Sequence, residues 1–247
     1  MTTRLGGISP LPYDSMNVGS TSGDTIENVK QNKALLATWV KQQGLENAHI
    51  PYLKQVHGIH ALNLDEDNIK TLFASNKEPE ADACFTTTKG VVCAVRVADC
   101  MPVLIAVPGG VAAIHAGWRS LAQGIITNTL KQLLQASKQE AKNAVVWLGP
   151  CIGKEKFEVG SDVRKAFEQQ HPNNTQAFKS IPGQTDKWLG NLPWLARAEL
   201  QRNGVKHIYI DGRCTVTDEK LFFSYRRDQI KLGGTGRMIA CIWMQTP

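Results

Sequence analysis

Histidine and cysteine are the side chains of this 247-residue chain whose types and spacing open the widest chemistry. Of the six histidines (His49, His57, His60, His115, His171 and His207), His115 stands apart. It closes an apolar run and precedes Ala116-Gly117-Trp118-Arg119. Glycine there permits close backbone approach. A helix expected just after it gathers an imidazole, an arginine and free backbone N–H groups at one junction, which favours an anion. Cys100 opens the apolar run that ends at Pro108-Gly109-Gly110, and His115 ends the run that leaves that turn. In an antiparallel hairpin those two positions fall at the same end of the sheet. Asp99 adds a carboxylate beside the thiol, read as a group that orients a ligand histidine. His57, in Lys54-Gln55-Val56-His57-Gly58, also sits where an apolar segment breaks at glycine. If His57 joins Cys100 and His115, two imidazoles and one thiolate form the three-ligand set of a catalytic zinc, leaving a fourth position for water or substrate, although the spacing itself fixes no geometry. Copper would bind the same soft set if offered. A metal-free reading stays open: Cys100 as a nucleophile activated by His115 in acyl or amide hydrolysis, which leaves His57 without a task. A non-catalytic binding protein is the remaining reading, and three ligands with an open position fit it less well than catalysis.

The elements that must position these groups follow from apolar patterning. Runs of Val, Ile and Ala predict strands at 91–98, 102–107 and 111–115, the last two a hairpin. Near-continuous apolar strands imply a sheet covered on both faces. A helix is expected over 119–135, with Ala122, Ile125, Ile126, Leu130 and Leu133 on its buried side. Asp24-x-x-Glu27 resembles a capping box and opens an earlier helix through Ile26, Val29, Leu36 and Val40, which Gly44 closes. Further strands are expected at 144–148, 205–210 and 237–244. Helices are expected after Ser161 and after Asp186, the second disturbed by Pro193. The polar stretch 65–82 reads as loop with a helical turn. Strands and helices alternate while hairpins are present, so the fold class is α+β (mixed α/β), one domain over 1–247 with mixed β-sheets flanked by helices.

Composition narrows the function classes. Hydrophobic residues make up 42% and charged residues 20%, ordinary globular usage. A chain of this length buries roughly 70–75% of the surface that its unfolded form exposes, so it needs no disulfide staples. The six cysteines (Cys84, Cys93, Cys100, Cys151, Cys214 and Cys241) contain no Cys-x-x-Cys pair and read as free thiols, with Cys93 and Cys241 as small core side chains. No apolar run approaches the ~18–20 residues of a membrane helix, and the first residues lack a signal-like apolar stretch. A cytoplasmic protein is the expectation, with no membrane and no obligatory protein partner. The net charge of +6 favours anionic partners, but the basic residues are scattered. Only Arg226-Arg227, with Lys231 and Arg237 nearby, forms a local cluster, which reads as a phosphate or carboxylate contact or as a solvated loop. No zinc-finger spacing, RNP sequence or basic-helix pattern supports nucleic acid.

Six ordered motifs carry a resemblance over nearly the whole chain. They are Gly6-Gly7-Ile8-Ser9 with Asn17, Lys54-Gln55-Val56-His57-Gly58, Ala98-Asp99-Cys100-Met101-Pro102, His115-Ala116-Gly117-Trp118-Arg119, Gly149-Pro150-Cys151-Ile152-Gly153 with Phe157-Glu158-Val159-Gly160, and Phe222-Phe223-Ser224-Tyr225-Arg226-Arg227-Asp228 with Thr235-Gly236-Arg237. In this order they resemble the YfiH family, also called the laccase-domain, polyphenol-oxidase or purine nucleoside phosphorylase family. Ser120 departs from the family's HAGWRG, the stretch before Gly6 is short, and the segment from Asp228 to Thr235 is slightly long.

The resemblance implies a zinc site of His57, Cys100 and His115, and phosphorolysis of adenosine, inosine and methylthioadenosine to free base and ribose 1-phosphate, with adenosine deamination. The older family name implies copper-dependent polyphenol oxidation instead. Purine nucleosides and phosphate are then the expected partners. Arg119 with the helix behind it is the first candidate for phosphate. Arg4, Arg226 and Arg227 come second, each with a surface salt bridge as its rival. Asn17 is a candidate for a sugar hydroxyl against a capping or turn role, and Glu158 reads as structural.

Overall fold

The computed structural model describes residues 1–45, 50–75 and 77–245, which leaves His49 outside the described residues. In chain order the elements are α1 (Ile26–Gln42), β1 (Ala61–Asn63), α2 (Glu66–Ser75), β2 (Ala83–Thr86), β3 (Cys93–Val97), β4 (Met101–Val107) and β5 (Gly110–Ala116). Next come α3 (Trp118–Ala122), α4 (Ile125–Ser137), β6 (Val145–Leu148), β7 (Glu158–Gly160), α5 (Ser161–Gln170), β8 (Phe178–Ile181) and β9 (Gln184–Gly190). The chain closes with α6 (Leu192–Arg202), β10 (His207–Ile210), α7 (Tyr225–Leu232) and β11 (Met238–Ile242).

The β4–β5 hairpin is the centre of a six-stranded mixed sheet of order β1-β2-β5-β4-β6-β10. Every residue of β5 is buried, as a strand covered on both faces must be. Period-two alternation divides its side chains. Ala112 and Ile114 join Val103 and Ile105 of β4 in packing against Ile125, Ile126, Leu130 and Leu133 of α4. Val111 and Ala113 face the opposite way, onto a two-stranded ribbon of β3 and β11 through Cys93, Val95 and Ala240. Leu36 and Val40 of α1 cover the far side of that ribbon at Ala94 and Ile239. A separate three-stranded sheet, β7-β9-β8, packs beside α5. The result is an α+β domain of mixed sheets flanked by helices. All six cysteines are free, and Cys93 is fully buried.

Several local expectations shift. Thr25, not Asp24, caps α1 by accepting the N–H of Asn28, while Asp24 accepts from Ser9, Asn17 and Asn28 side chains. The 65–82 stretch holds the full helix α2 rather than a single turn. The helix expected over 119–135 is two helices, because Gly124 adopts φ +87°, a left-handed conformation that cannot continue a helix. Asp186 lies in β9, and Pro193 opens α6 rather than disturbing it, since proline suits the first helical turn. Strands β1, β2, β7, β8 and β9 are additions to the expected set.

Candidate metal centre

The hairpin register sets Pro102 opposite His115. Cys100 lies two residues before Pro102, so alternation turns its side chain to the same face as His115. Strand β2 brings in a third group: Ala83 pairs with Ile114, so Asp82 falls opposite His115, whose N–H donates to the Asp82 carbonyl at 2.7 Å. His57 arrives from an irregular segment held by the Lys54–Glu80 bridge. The ligand atoms of His57, Cys100 and His115 all lie within 4.8 Å of one another. Cys100 Sγ is 3.7 Å from His57 Nε2. A nitrogen and a sulfur bound to one tetrahedral zinc sit about 3.5 Å apart, so this donor set fits such an ion.

Asp82 organises both histidines. Its carboxylate accepts three consecutive backbone N–H groups, from Val56 (3.1 Å), His57 (2.9 Å) and Gly58 (2.7 Å). It also accepts from His115 Nδ1 at 2.8 Å, which fixes the tautomer and leaves Nε2 free to ligate. Asp82, not Asp99, is therefore the carboxylate that orients His115 of the candidate triad. Asp99 accepts from Thr215 Oγ1 (2.5 Å), Ser224 Oγ (2.9 Å) and the Arg226 N–H (2.7 Å), tying the start of α7 to the Cys100 loop. The two described non-glycine residues with positive φ next to this centre are His57 (+62°) and Asp99 (+81°), and these hydrogen bonds hold them there. Gly117 closes the floor: a Cβ there would stand 2.7 Å from His57 Cδ2 and 3.1 Å from Cys100 Sγ.

Charge follows the geometry. Burial would raise Asp82, but hydrogen bonds from His115 and the backbone of residues 56 and 58 outweigh it and hold the carboxyl below its ordinary value. Burial would also raise the Cys100 thiol, yet the charge and hydrogen bonds of His115 and His57 pull it down to about 6. Burial opposes charge on His115, and the Cys100 thiolate and Asp82 together push it up to about 9. At neutral pH without metal, the pair is thiolate and imidazolium.

The triad lies at the floor of a cleft of about 520 Å³. Arg119 and Arg226 line it. Arg119 stacks on Trp118 at 4.4 Å, and Arg226 donates to the Glu158 carbonyl. The helix behind Arg119 has only five residues, so the helix terminus adds little to an anion site there. Ser120, within α3, is buried and donates to the carbonyls of His115 and Gly117. Three candidates are engaged elsewhere. Arg4 donates to Asp14 and the Glu219 carbonyl. Arg227 donates to Asp228 and the carbonyls of Thr215, Val216 and Phe222. Asn17 is fully buried, accepting from Gly19 and Arg237 and donating to Ser22 and Asp24. None of the three is on the cleft wall. Glu158 pairs with Lys187 at 3.1 Å.

Residues to which the sequence reading gave no role complete the wall, Gln55, Glu78, Arg96, Trp118 and Tyr225, together with Arg237 of the basic cluster. Arg96 was legible as the lone charge in the strand CAVRV. It pairs with Glu78 at 2.7 Å and donates to the Leu53 carbonyl, while Gln55 exchanges two hydrogen bonds with its backbone.

A mixed-sheet domain with a His–Cys–His pocket beneath an open, cation-rimmed cleft is the class that fold and site define. Residues 1–245 match the family model described as multi-copper polyphenol oxidoreductase laccase, and the chain belongs to that family. It is 41% identical over 245 residues to a Shigella flexneri protein named purine nucleoside phosphorylase YfiH, covering 98% of this chain and 92% of that one. Among solved structures, a Neisseria meningitidis protein superposes with a TM-score of 0.87 at 38% identity, over 100% of this chain and 93% of the other. YlmD from Geobacillus stearothermophilus gives 0.87 at 30% identity, over 99% and 90%.

Proposed function

We propose that this chain is a zinc-dependent purine nucleoside phosphorylase. The observation that carries the reading is the convergence of His57, Cys100 and His115 under one organising carboxylate, at the floor of a cleft walled by aromatic rings and cations. The names of the relatives support the substrate class. When bound, the metal supplies Lewis acidity toward the departing base or a sugar oxygen, or a water of lowered pKa for the adenosine deamination that belongs to the same reading. The chain's own groups do the rest. Asp82 holds His115 in one tautomer and fixes the backbone of His57. Trp118 and Tyr225 offer faces against which a purine stacks. Arg119 and Arg226 give the cleft a positive rim that draws phosphate in. Adenosine, inosine and methylthioadenosine are the expected nucleosides. Among the described residues no helix is long and apolar enough to cross a membrane, in keeping with the proposed cytoplasmic setting.

The test is incubation of the metal-loaded protein with inosine and adenosine, with and without phosphate, alongside metal quantification. Phosphate-dependent release of base, lost together with zinc in His115→Ala, is the expected result. Unchanged turnover in that variant would remove the reading.

The lowered Cys100 thiol beside two imidazoles favours a second reading, the metal-free thiol hydrolase. A chelator separates the two, because it stops the first chemistry and spares the second. Copper-dependent phenol oxidation, in the sense of the family model's description, stands behind both. Among the described residues His57, Cys100 and His115 are the one such ligand group, where multi-copper catalysis needs several. Metal analysis of protein purified without added copper tests it.

A further inference from the structure

Among the cleft's guanidiniums, Arg119 is exposed and stacks on Trp118, whereas Arg237 is half-buried and has no carboxylate partner among the described residues. Arg237 enters from the segment before β11, where Gly236 lies flat on the Phe223 ring. A Cβ at Gly236 would fall 2.6–2.8 Å from three ring atoms. The Arg237 backbone is fixed on both sides: its N–H donates to Asn17 Oδ1 at 2.9 Å, and its carbonyl accepts from Val18 at 3.1 Å. The stem then crosses Gly19, where a Cβ would stand 2.7 Å from Arg237 Cγ. Nη1 is tethered to the carbonyls of Thr235 (3.0 Å) and Gly236 (3.1 Å), and the Tyr225 ring lies 5.7 Å from the guanidinium carbon. Nε and Nη2 have no hydrogen-bond partner among the described residues, and no described carboxylate comes within ion-pairing distance.

Its neighbours are committed. Arg96 is paired with Glu78, Arg4 with Asp14, and Arg227 with Asp228. Arg226 is directed at the Glu158 carbonyl. Arg237 is half-buried, aligned at both ends and unpaired, on the same cleft wall as the triad. Its free donors open to the cleft, and a partly desolvated charge gains from a ligand that supplies an opposite one. A guanidinium with adjacent free donors matches a tetrahedral oxyanion bidentately.

We propose that Arg237 binds the phosphate co-substrate and holds it beside the metal centre. This rests on the phosphorylase reading above and names the group that grips the anion, where the sequence ranked Arg119 first and placed Arg237 only within a basic cluster. In the reaction one oxygen of hydrogen phosphate bonds to C1′ of the ribose as the C1′–N9 bond breaks. The bond pair departs on N9 of the base, and the proton carried by the phosphate ends on the base. Ribose 1-phosphate and free purine result. Asn17 and Gly19 act through Arg237, one fixing its backbone and the other leaving room for its stem.

The experiment compares zinc-loaded wild type, Arg237→Gln and Arg237→Lys. Calorimetric titration with inorganic phosphate is run beside steady-state kinetics in both phosphate and inosine. Arg237→Gln is expected to weaken phosphate binding and raise the phosphate KM by about 10–100-fold, the scale of a lost charged hydrogen-bond pair. The inosine KM should stay within about threefold, and zinc content should equal that of wild type. Arg237→Lys, which keeps charge without the fork, should fall between and carries the comparison if the glutamine variant does not fold. Unchanged phosphate affinity and phosphate KM in both variants would overturn the assignment and leave phosphorolysis standing. Arg237-dependent phosphate binding by a wild type that releases no base would keep the anion site and remove the phosphorylase reading. A wild type that neither binds phosphate nor responds to it overturns both.

Discussion

Oδ1 of Asp82 lies 2.8 Å from His115 Nδ1, and the same oxygen accepts the backbone N–H of His57 at 2.9 Å. One carboxylate thus sets the position of two imidazoles that are 58 residues apart in the chain, one through its ring and the other through its main chain. It is fully buried, so nothing else can satisfy those donors.

Asp82→Asn keeps the shape and removes the charge. An amide can turn only one oxygen toward four N–H donors, and its own NH₂ faces at least one of them. Metal affinity is expected to fall about 10–100-fold, the usual consequence of losing the carboxylate behind a ligand histidine. Competition against a chromophoric chelator measures it. Wild-type affinity in this variant would show that the histidines hold their places without Asp82.

How the site was legible follows from the same register. The hairpin and its Pro-Gly-Gly turn were visible in the pattern, and alternation then carried Cys100 and His115 to one face. Asp82 was missed because β2 was missed: its four residues are all buried, giving no polar–apolar alternation, and they follow a polar stretch read as loop. The cations divided for a similar reason. Arg4, Arg227 and Arg237 look alike in sequence, and only tertiary contacts decide that the first two are neutralised by Asp14 and Asp228 while the third faces the cleft. Gly124 misled the helix reading since its φ of +87° is a property of the packed chain, whereas glycine within a helix is merely unfavourable.

Gly117→Ala tests the floor of the site. Gly117 has φ −69° and ψ 159°, a conformation any residue adopts, so alanine brings no backbone penalty. The effect is steric, because the new methyl meets His57 Cδ2 at 2.7 Å and Cys100 Sγ at 3.1 Å. Overpacking of this kind costs about 1–3 kcal/mol when the neighbours can move. Here the neighbours are two of the proposed ligands, and the expected outcome is a folded protein, by circular dichroism, that retains less metal. Full metal occupancy with unchanged affinity would contradict the close approach.

The lowered Cys100 thiol predicts a pH profile in protein stripped by chelator. The thiolate fraction rises with pH through about 6, so alkylation of Cys100 by iodoacetamide should reach its plateau before pH 7.5. An ordinary thiol would still be accelerating there, since its midpoint is about 8.5. Cys241, which burial pushes up to about 12, and Cys151, pushed up likewise, should stay unmodified over the same range. Peptide mapping by mass spectrometry assigns the modified residue. Restoring zinc should protect Cys100, since a coordinated sulfur is a poorer nucleophile. A midpoint near 8.5 at Cys100 would mean that the imidazoles do not stabilise its thiolate.

Glu199 offers a test of the fold away from the cleft. It is 3% exposed on α6, and its Oε1 accepts both the N–H (3.0 Å) and the hydroxyl (2.7 Å) of Thr127 in the first turn of α4. Burial raises its carboxyl above the ordinary value, and the hydrogen bonds from Thr127 and Gln170 only partly offset that. A raised acid favours the protonated folded state, so its stabilising contribution is complete below the unfolded pKa of about 4.3 and is lost as pH climbs through the folded value. Glu199→Gln cannot titrate. The stability of that variant relative to wild type, from urea unfolding at a series of pH values, should therefore increase as pH rises above the unfolded value and level once the folded carboxyl is ionised. Glu199→Ala should instead be destabilised at every pH by about 1–3 kcal/mol, because the Thr127 donors lose their acceptor. A glutamine variant whose difference from wild type is flat with pH would mean that the Glu199 carboxyl titrates in the folded protein as it does in the unfolded chain.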